Sequence, residues 1–124
     1  MSDKTEFTSE QLIEKIVEAM QDRKAENILS LDLRNTGSSV ADHFIICHGN
    51  SNIQVQAIAA GIERDTREAL KEKPWKREGL QNAQWIILDY VNIVVHIFYQ
   101  ETREFYKIEE LWGDAIIKTH EYEI

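Results

Sequence analysis

Apolar residues recur at helical spacing in two stretches of this chain and at strand spacing in four. Leu12, Ile13, Ile16, Val17 and Met20 share one helical face. Thr8 with Gln11 forms a capping box ahead of them, hydroxyl and amide satisfying free N–H groups. Val55, Ile58, Ala59, Ile62, Thr66 and Ala69 make a second stripe flanked by Leu70. Ser51 with Gln54 forms its capping box, and Pro74 predicts a stop near Lys73. Between the helices, Ile28–Arg34 (ILSLDLR) reads as a strand and Asn35–Ser39 as a polar loop. The unbroken apolar run His43–Cys47 (HFIIC) predicts a central strand covered on both faces.

Beyond Pro74, Lys73–Ala83 reads as a polar connection carrying a lone Trp75. Trp85–Phe98 (WIILDYVNIVVHIF) reads as two strands around a tight turn. A short helical piece, Glu101–Tyr106, follows. Then come a turn over Ile108–Trp112, a left-handed cap at Gly113 and a charged tail. Phe105, Ile108, Leu111 and Trp112 fall at helical spacing and read as core, with Trp112 a candidate edge residue. The order helix, strand, strand, helix, strand, strand, helix predicts an α/β (α+β) domain. Its mixed sheet has about four strands and carries helices mainly on one face. The other face is left for a partner. Residues 1–124 read as a single domain, with a flexible tail expected over residues 1–7.

The hairpin states its own faces. A Val91-Asn92 loop pairs Tyr90 with Ile93, Leu88 with Val95 and Ile86 with Ile97 on one side, an apolar set fit for a core. On the other side it pairs Asp89 with Val94, Ile87 with His96 and Trp85 with Phe98. The loop lacks the glycine that two-residue hairpins favour. The second face mixes Trp, Phe, Asp and His. It is read either as a sheet surface shielded by the Lys73–Ala83 connection or as an interface. Trp85 has the large area and N–H donor of a binding anchor, and Asp89 and His96 can pair with a basic partner.

Charge narrows the partners. Fourteen Lys and Arg against 22 Asp and Glu give a formal charge of −8. Such a chain is poorly placed to displace counterions from nucleic acid and better matched to a basic protein surface. One cysteine, Cys47, allows no internal disulfide and fits a reducing compartment. The polar, acidic N-terminus lacks the features of a signal or transit peptide, and no apolar run reaches transmembrane length. The expectation is a cytoplasmic protein.

Candidate chemistry is thin. None of the four histidines has metal-ligand spacing, and His43 and Cys47 point to one face of a strand while His48 points to the other. Cys47 lies in the apolar run FIIC, where a thiol is more often packed than reactive. Gly49-Asn50-Ser51 opens a helix and offers N–H groups to an anion, as a nucleotidyltransferase would require. That chemistry also needs two carboxylates on one strand face to hold metal. Asp32 and Asp89 each stand alone. No metal or cofactor is expected.

At these residues the chain resembles the ribosomal silencing factors, also called Iojap-like proteins. The resemblance rests on Ala41–Cys47 (ADHFIIC) with Gly49-Asn50-Ser51, on Trp85–Tyr90 (WIILDY) and on Val94–Phe98 (VVHIF). Arg103–Tyr106 (REFY) and Leu111–Asp114 (LWGD) complete it. It covers residues 8–114 as a family-like core and leaves 115–124 as a C-terminal tail. Val91 stands where the family usually carries Gly, and His48 where it often has Ser or Thr. The resemblance implies a nucleotidyltransferase-like fold without a transferase site. It implies docking on the large ribosomal subunit at ribosomal protein L-fourteen, steric blocking of subunit joining, and repression of translation when nutrients are scarce. On this reading the partner-binding residues are Trp85, Asp89, Tyr90, His96, Phe98 and Trp112. No membrane partner and no sequence-specific nucleic-acid binding are expected. A nucleotidyltransferase-like enzyme and a homodimeric scaffold remain the alternatives.

Overall fold

The computed structural model describes residues 7–37 and 41–120. The tail expected over residues 1–7 lies outside them except for Phe7, which packs against the core. Helix α1 spans Ser9–Asp22, and the capping box at Thr8 forms as expected, with Gln11 N–H 3.1 Å from the Thr8 hydroxyl. Strands β1 (Glu26–Asp32) and β2 (His43–Gly49) follow. Of the loop expected at Asn35–Ser39, residues 38 and 39 lie outside the described set.

Helix α2 spans Asn52–Leu70. It ends short of Lys73 because Lys71 turns left-handed, with φ +59°, and its N–H bonds back to Arg67. The buried stripe stops at Thr66, and Ala69, although within the helix, is exposed. The second capping box is only half made. Ser51 accepts from Gln54 N–H, but the Gln54 side chain bonds the Asn50 N–H and the carbonyls of Arg23 and Lys24.

The sheet has six strands, not four. Besides β4 (Trp85–Asp89) and β5 (Ile93–Tyr99), the polar connection contributes β3 (Lys76–Glu78) and the charged tail contributes β6 (Ile116–His120). The order is β3-β4-β5-β2-β1-β6, with β2 and β5 parallel and all other neighbours antiparallel. The two unforeseen strands are the two edges. An edge strand pairs through backbone on one side and faces water elsewhere, so it needs no apolar alternation. β2 lies in the middle and is buried from Phe44 through Gly49, as its unbroken apolar run predicts.

Helices α1 and α2 pack on one face over Ile45, Val95, Ile97, Ile86 and Leu88. The opposite face is not bare. Leu29, Leu31, Phe44, Ile46, Val94 and Phe98 form a second apolar cluster there. Helix α3 (Gln100–Tyr106) and a 3₁₀ turn (Ile108–Trp112) cover part of it, the turn burying Ile108. Phe105 and Leu111, read as core, are 79% and 74% exposed. Their spacing is helical, but α3 ends at Lys107, which is left-handed (φ +48°), so no continuous helical face forms. Gly113 has φ −60° and is not a left-handed cap. No helix among the described residues is long and apolar enough to cross a membrane.

Candidate functional site

The β4–β5 hairpin pairs in the expected register: Trp85 with Phe98, Ile87 with His96, Asp89 with Val94. Gly79 starts the approach to it. Its φ is +79°, and a Cβ there would lie 2.0 Å from the Trp85 carbonyl, so only glycine lets the chain from β3 pass this close. At the far end the hairpin closes through Val91 at φ +78°, with Asn92 N–H bonded to the Tyr90 carbonyl at 3.0 Å, a γ-turn. Asp89 Oδ1 accepts the Val91 N–H at 2.7 Å. This carboxylate shapes the tip and makes no ion pair among the described residues.

Trp85 is half-buried. Its indole stacks on Phe98 (4.9 Å) and leans on Tyr106 of α3 (5.1 Å), which in turn meets Phe105 edge-on. The indole N–H donates to His96 Nδ1 at 3.1 Å. An indole nitrogen only donates, so His96 Nδ1 is unprotonated and the neutral ring carries its proton on Nε2. Burial pushes the His96 pKa down to about 4, and Nε2 is buried without a partner among the described residues. Phe44 stands edge-on to His96 (4.5 Å) and to Trp112 (5.7 Å).

Of the six residues expected to bind a partner, five thus lie on one face. Only three of these are reachable: Trp85, Asp89 and Trp112 are half-exposed. His96 (6%) and Phe98 (0%) lie beneath them as supports. Tyr90 is on the opposite face, in the helix-side core, with its hydroxyl 2.9 Å from Thr66 Oγ1. Strand parity already placed it there, paired with Ile93, and it leaves the surface. Ile87, Phe105 and Tyr106, none of them expected from sequence to bind a partner, complete an apolar strip along the hairpin.

A buried cation holds the cover in place. Arg103 of α3 is 4% exposed. Its Nη1 donates to the Asn27 carbonyl (2.8 Å) and to His48 Nδ1 (3.0 Å), and Nε lies 3.7 Å from Glu109. Asn27 sits at a bulge in β1 with φ +52°, where the register against β2 shifts. Burial and the neighbouring guanidinium lower the His48 pKa. No periodicity reveals this cluster, because it joins four elements through single polar residues.

The carboxylates and the thiol weighed for catalysis do not converge on one site. Asp32 and Asp89 lie on strands three positions apart, about 14 Å at ordinary strand spacing, and on opposite faces. Among the described residues no three His, Cys, Asp or Glu side chains gather around a metal-sized site. Cys47 is fully buried, and burial pushes its pKa up to about 12. A cleft of about 860 Å³ opens between α1 and β6 on the helix side. Glu10, Glu14, Asp22 and His43 are among its lining residues, and none comes from the hairpin.

Residues 6–123 match the family model described as "Ribosomal silencing factor during starvation". The chain belongs to the ribosomal silencing factor family. It is 47% identical over 98 residues to the Ribosomal silencing factor RsfS of Bacillus subtilis, covering 78% of this chain and 80% of that protein. Identity to the same-named protein of Halalkalibacterium halodurans is 40% over 109 residues, covering 88% and 92%. A crystal structure of a Chromobacterium violaceum protein matches with a TM-score of 0.81 at 30% identity, covering 86% of this chain and 88% of that one. The six-stranded mixed sheet with its three helices agrees with this silencing-factor relationship, and the names of these relatives are those of regulators.

Proposed function

We propose that this protein is a ribosome-binding repressor of translation and not an enzyme. It docks through the hairpin face onto ribosomal protein L-fourteen of the large subunit and sterically prevents the small subunit from joining, in the cytoplasm, when nutrients are limiting. The observation that carries this reading is the half-exposed row Trp85, Ile87 and Asp89 on the surface of a family member. Trp85 is the apolar anchor, and the Asp89 carboxylate meets a basic residue of the partner. His96 and Phe98 act from below. His96 holds the indole N–H and fixes the ring plane, and Phe98 stacks under it. Trp112 closes one margin and Tyr106 another.

The test is sedimentation of purified large and small subunits with the protein added. Wild type is expected to travel with the large subunit and deplete joined ribosomes, whereas Trp85→Ala does neither. Asp89→Asn is the sharper charge test, because its amide oxygen still accepts the Val91 N–H while the negative charge is gone. Asp89→Asn binding as tightly as wild type would remove the charge pairing from the proposal. Wild type that neither binds nor blocks joining would overturn the proposal whole. Wild type that self-associates and leaves subunits untouched would favour the homodimeric scaffold.

A further inference from the structure

We propose that the corner formed by the end of α2 and the start of β3 is a contact site for single-stranded RNA. Trp75 is its stacking platform, and Arg67, Lys71 and Lys73 are its phosphate contacts. The proposal rests on the large-subunit reading above, because that is what brings RNA alongside.

Charge is distributed unevenly along the chain. Six of the 14 Lys and Arg fall within residues 64–77, against three carboxylates there. That segment therefore carries +3, and the net −8 of the chain leaves −11 for the remainder. Within the segment Arg64, Lys76 and Arg77 stand beside Asp65, Glu78 and Glu63. Arg67, Lys71 and Lys73 are exposed and make no ion pair among the described residues. With Glu72, Pro74 and Trp75 they line a cleft of about 290 Å³. Trp75 is 70% exposed. An indole left in water beside three unpaired cations is a poor solution for stability and a suitable one for a ligand with a flat π-face and phosphates.

Position adds the second argument. The Trp75 backbone N–H donates to the Asp89 carbonyl at 3.0 Å, and Lys76 pairs in register with Asp89. The basic corner thus begins one strand away from the proposed protein-docking row, around the sheet edge. A silencing factor seated on a ribosomal protein has rRNA at its margins, and a chain carrying −11 elsewhere needs a local positive element where it faces phosphate. An anionic membrane fits less well. A flat anionic sheet meets the whole acidic surface, whereas a strand of RNA threads one corner.

The probe is a fluorescein-labelled oligouridylate, read by fluorescence anisotropy against the full-length chain. Three phosphate contacts give a slope of about −2 in log affinity against log salt for a single strand. Affinity therefore drops about twentyfold between about 50 and 200 mM KCl. Lys71→Glu with Lys73→Glu is expected to weaken binding more than tenfold and flatten that slope. Trp75→Ala is expected to weaken it about tenfold and leave the slope unchanged. In large-subunit pelleting the same variants bind more weakly, yet they keep wild-type binding to isolated ribosomal protein L-fourteen. All three side chains are exposed, and thermal melts confirm that the variants fold. Absent oligonucleotide binding, or binding indifferent to these substitutions, overturns the proposal. So does capture by phosphatidylglycerol vesicles in its place. Wild type that binds the oligonucleotide through Trp75 but does not pellet with large subunits supports the RNA site and overturns the docking reading alone. Pelleting that is intact and identical in all variants overturns the RNA site alone.

Discussion

Val91 should be better as glycine. Its φ of +78° puts a β-branched side chain in the left-handed half of conformational space, where Cβ crowds the following carbonyl at a cost of about 1–2 kcal/mol. The position is held from both sides, by the Asp89 carboxylate on its N–H and by the Asn92 N–H on the Tyr90 carbonyl. The side chain is 58% exposed, so little burial is lost on removing it. Against the relief stands the greater freedom of glycine in the unfolded chain, about 0.4–1 kcal/mol. The difference leaves Val91→Gly more stable by about 0.5–1 kcal/mol. In urea this appears as a higher midpoint at unchanged slope, and in a melt as a rise of about 2–5 °C. Val91→Ala keeps the Cβ and is expected to gain no more than half as much. A Val91→Gly protein less stable than wild type would refute the strain assignment and show that the exposed valine makes contacts worth more than its backbone costs. Large-subunit binding should be unchanged, since no polar contact of Trp85 or Asp89 runs through the Val91 side chain.

Three further substitutions separate the supports of the face from the core behind it. Tyr90→Phe removes the hydroxyl facing Thr66 and should cost about 1 kcal/mol in chemical denaturation while leaving ribosome binding intact, because Tyr90 lies in the helix-side core. His96 links stability to pH. Its folded pKa, near 4, lies below its unfolded value near 6.5, so the unfolded chain binds more protons between those limits. Stability therefore falls as pH drops from about 6.5 toward 4, by up to about 3 kcal/mol from this residue. His96→Gln should flatten that stretch of the stability–pH curve, and an unchanged curve would dissociate the effect from this ring. Arg103→Met strips Asn27, His48 and Glu109 of their shared partner and should destabilise the fold by about 3–5 kcal/mol. Hydrogen exchange should show α3 opening first, and docking should weaken with it because Tyr106 no longer braces Trp85.

Much of this molecule is determined by residues close in sequence. Strand parity alone sorts Trp85, Ile87, Asp89, His96 and Phe98 from Ile86, Leu88, Tyr90, Val95 and Ile97, and the observed register follows it pair for pair. The Thr8 box is set within one helical turn, and the unbroken apolar run from Phe44 to Cys47 suits a strand covered on both sides, as β2 is. The rest depends on partners distant in the chain. β3 and β6 are strands because β4 and β1 offer them open backbone, and Lys76–Glu78 has no alternation to announce it. Gln54 abandons its capping box for carbonyls at Arg23 and Lys24, across the seam between α1 and α2. Above all, the hairpin face becomes partly interior because Arg103 reaches across to Asn27 and His48 and draws α3 and its 3₁₀ turn over it. Sequence determined which side chains share that face. Only the packing of α3, through contacts with no sequence period, decided that His96 and Phe98 lie beneath it and that Trp85 and Asp89 remain open to a partner.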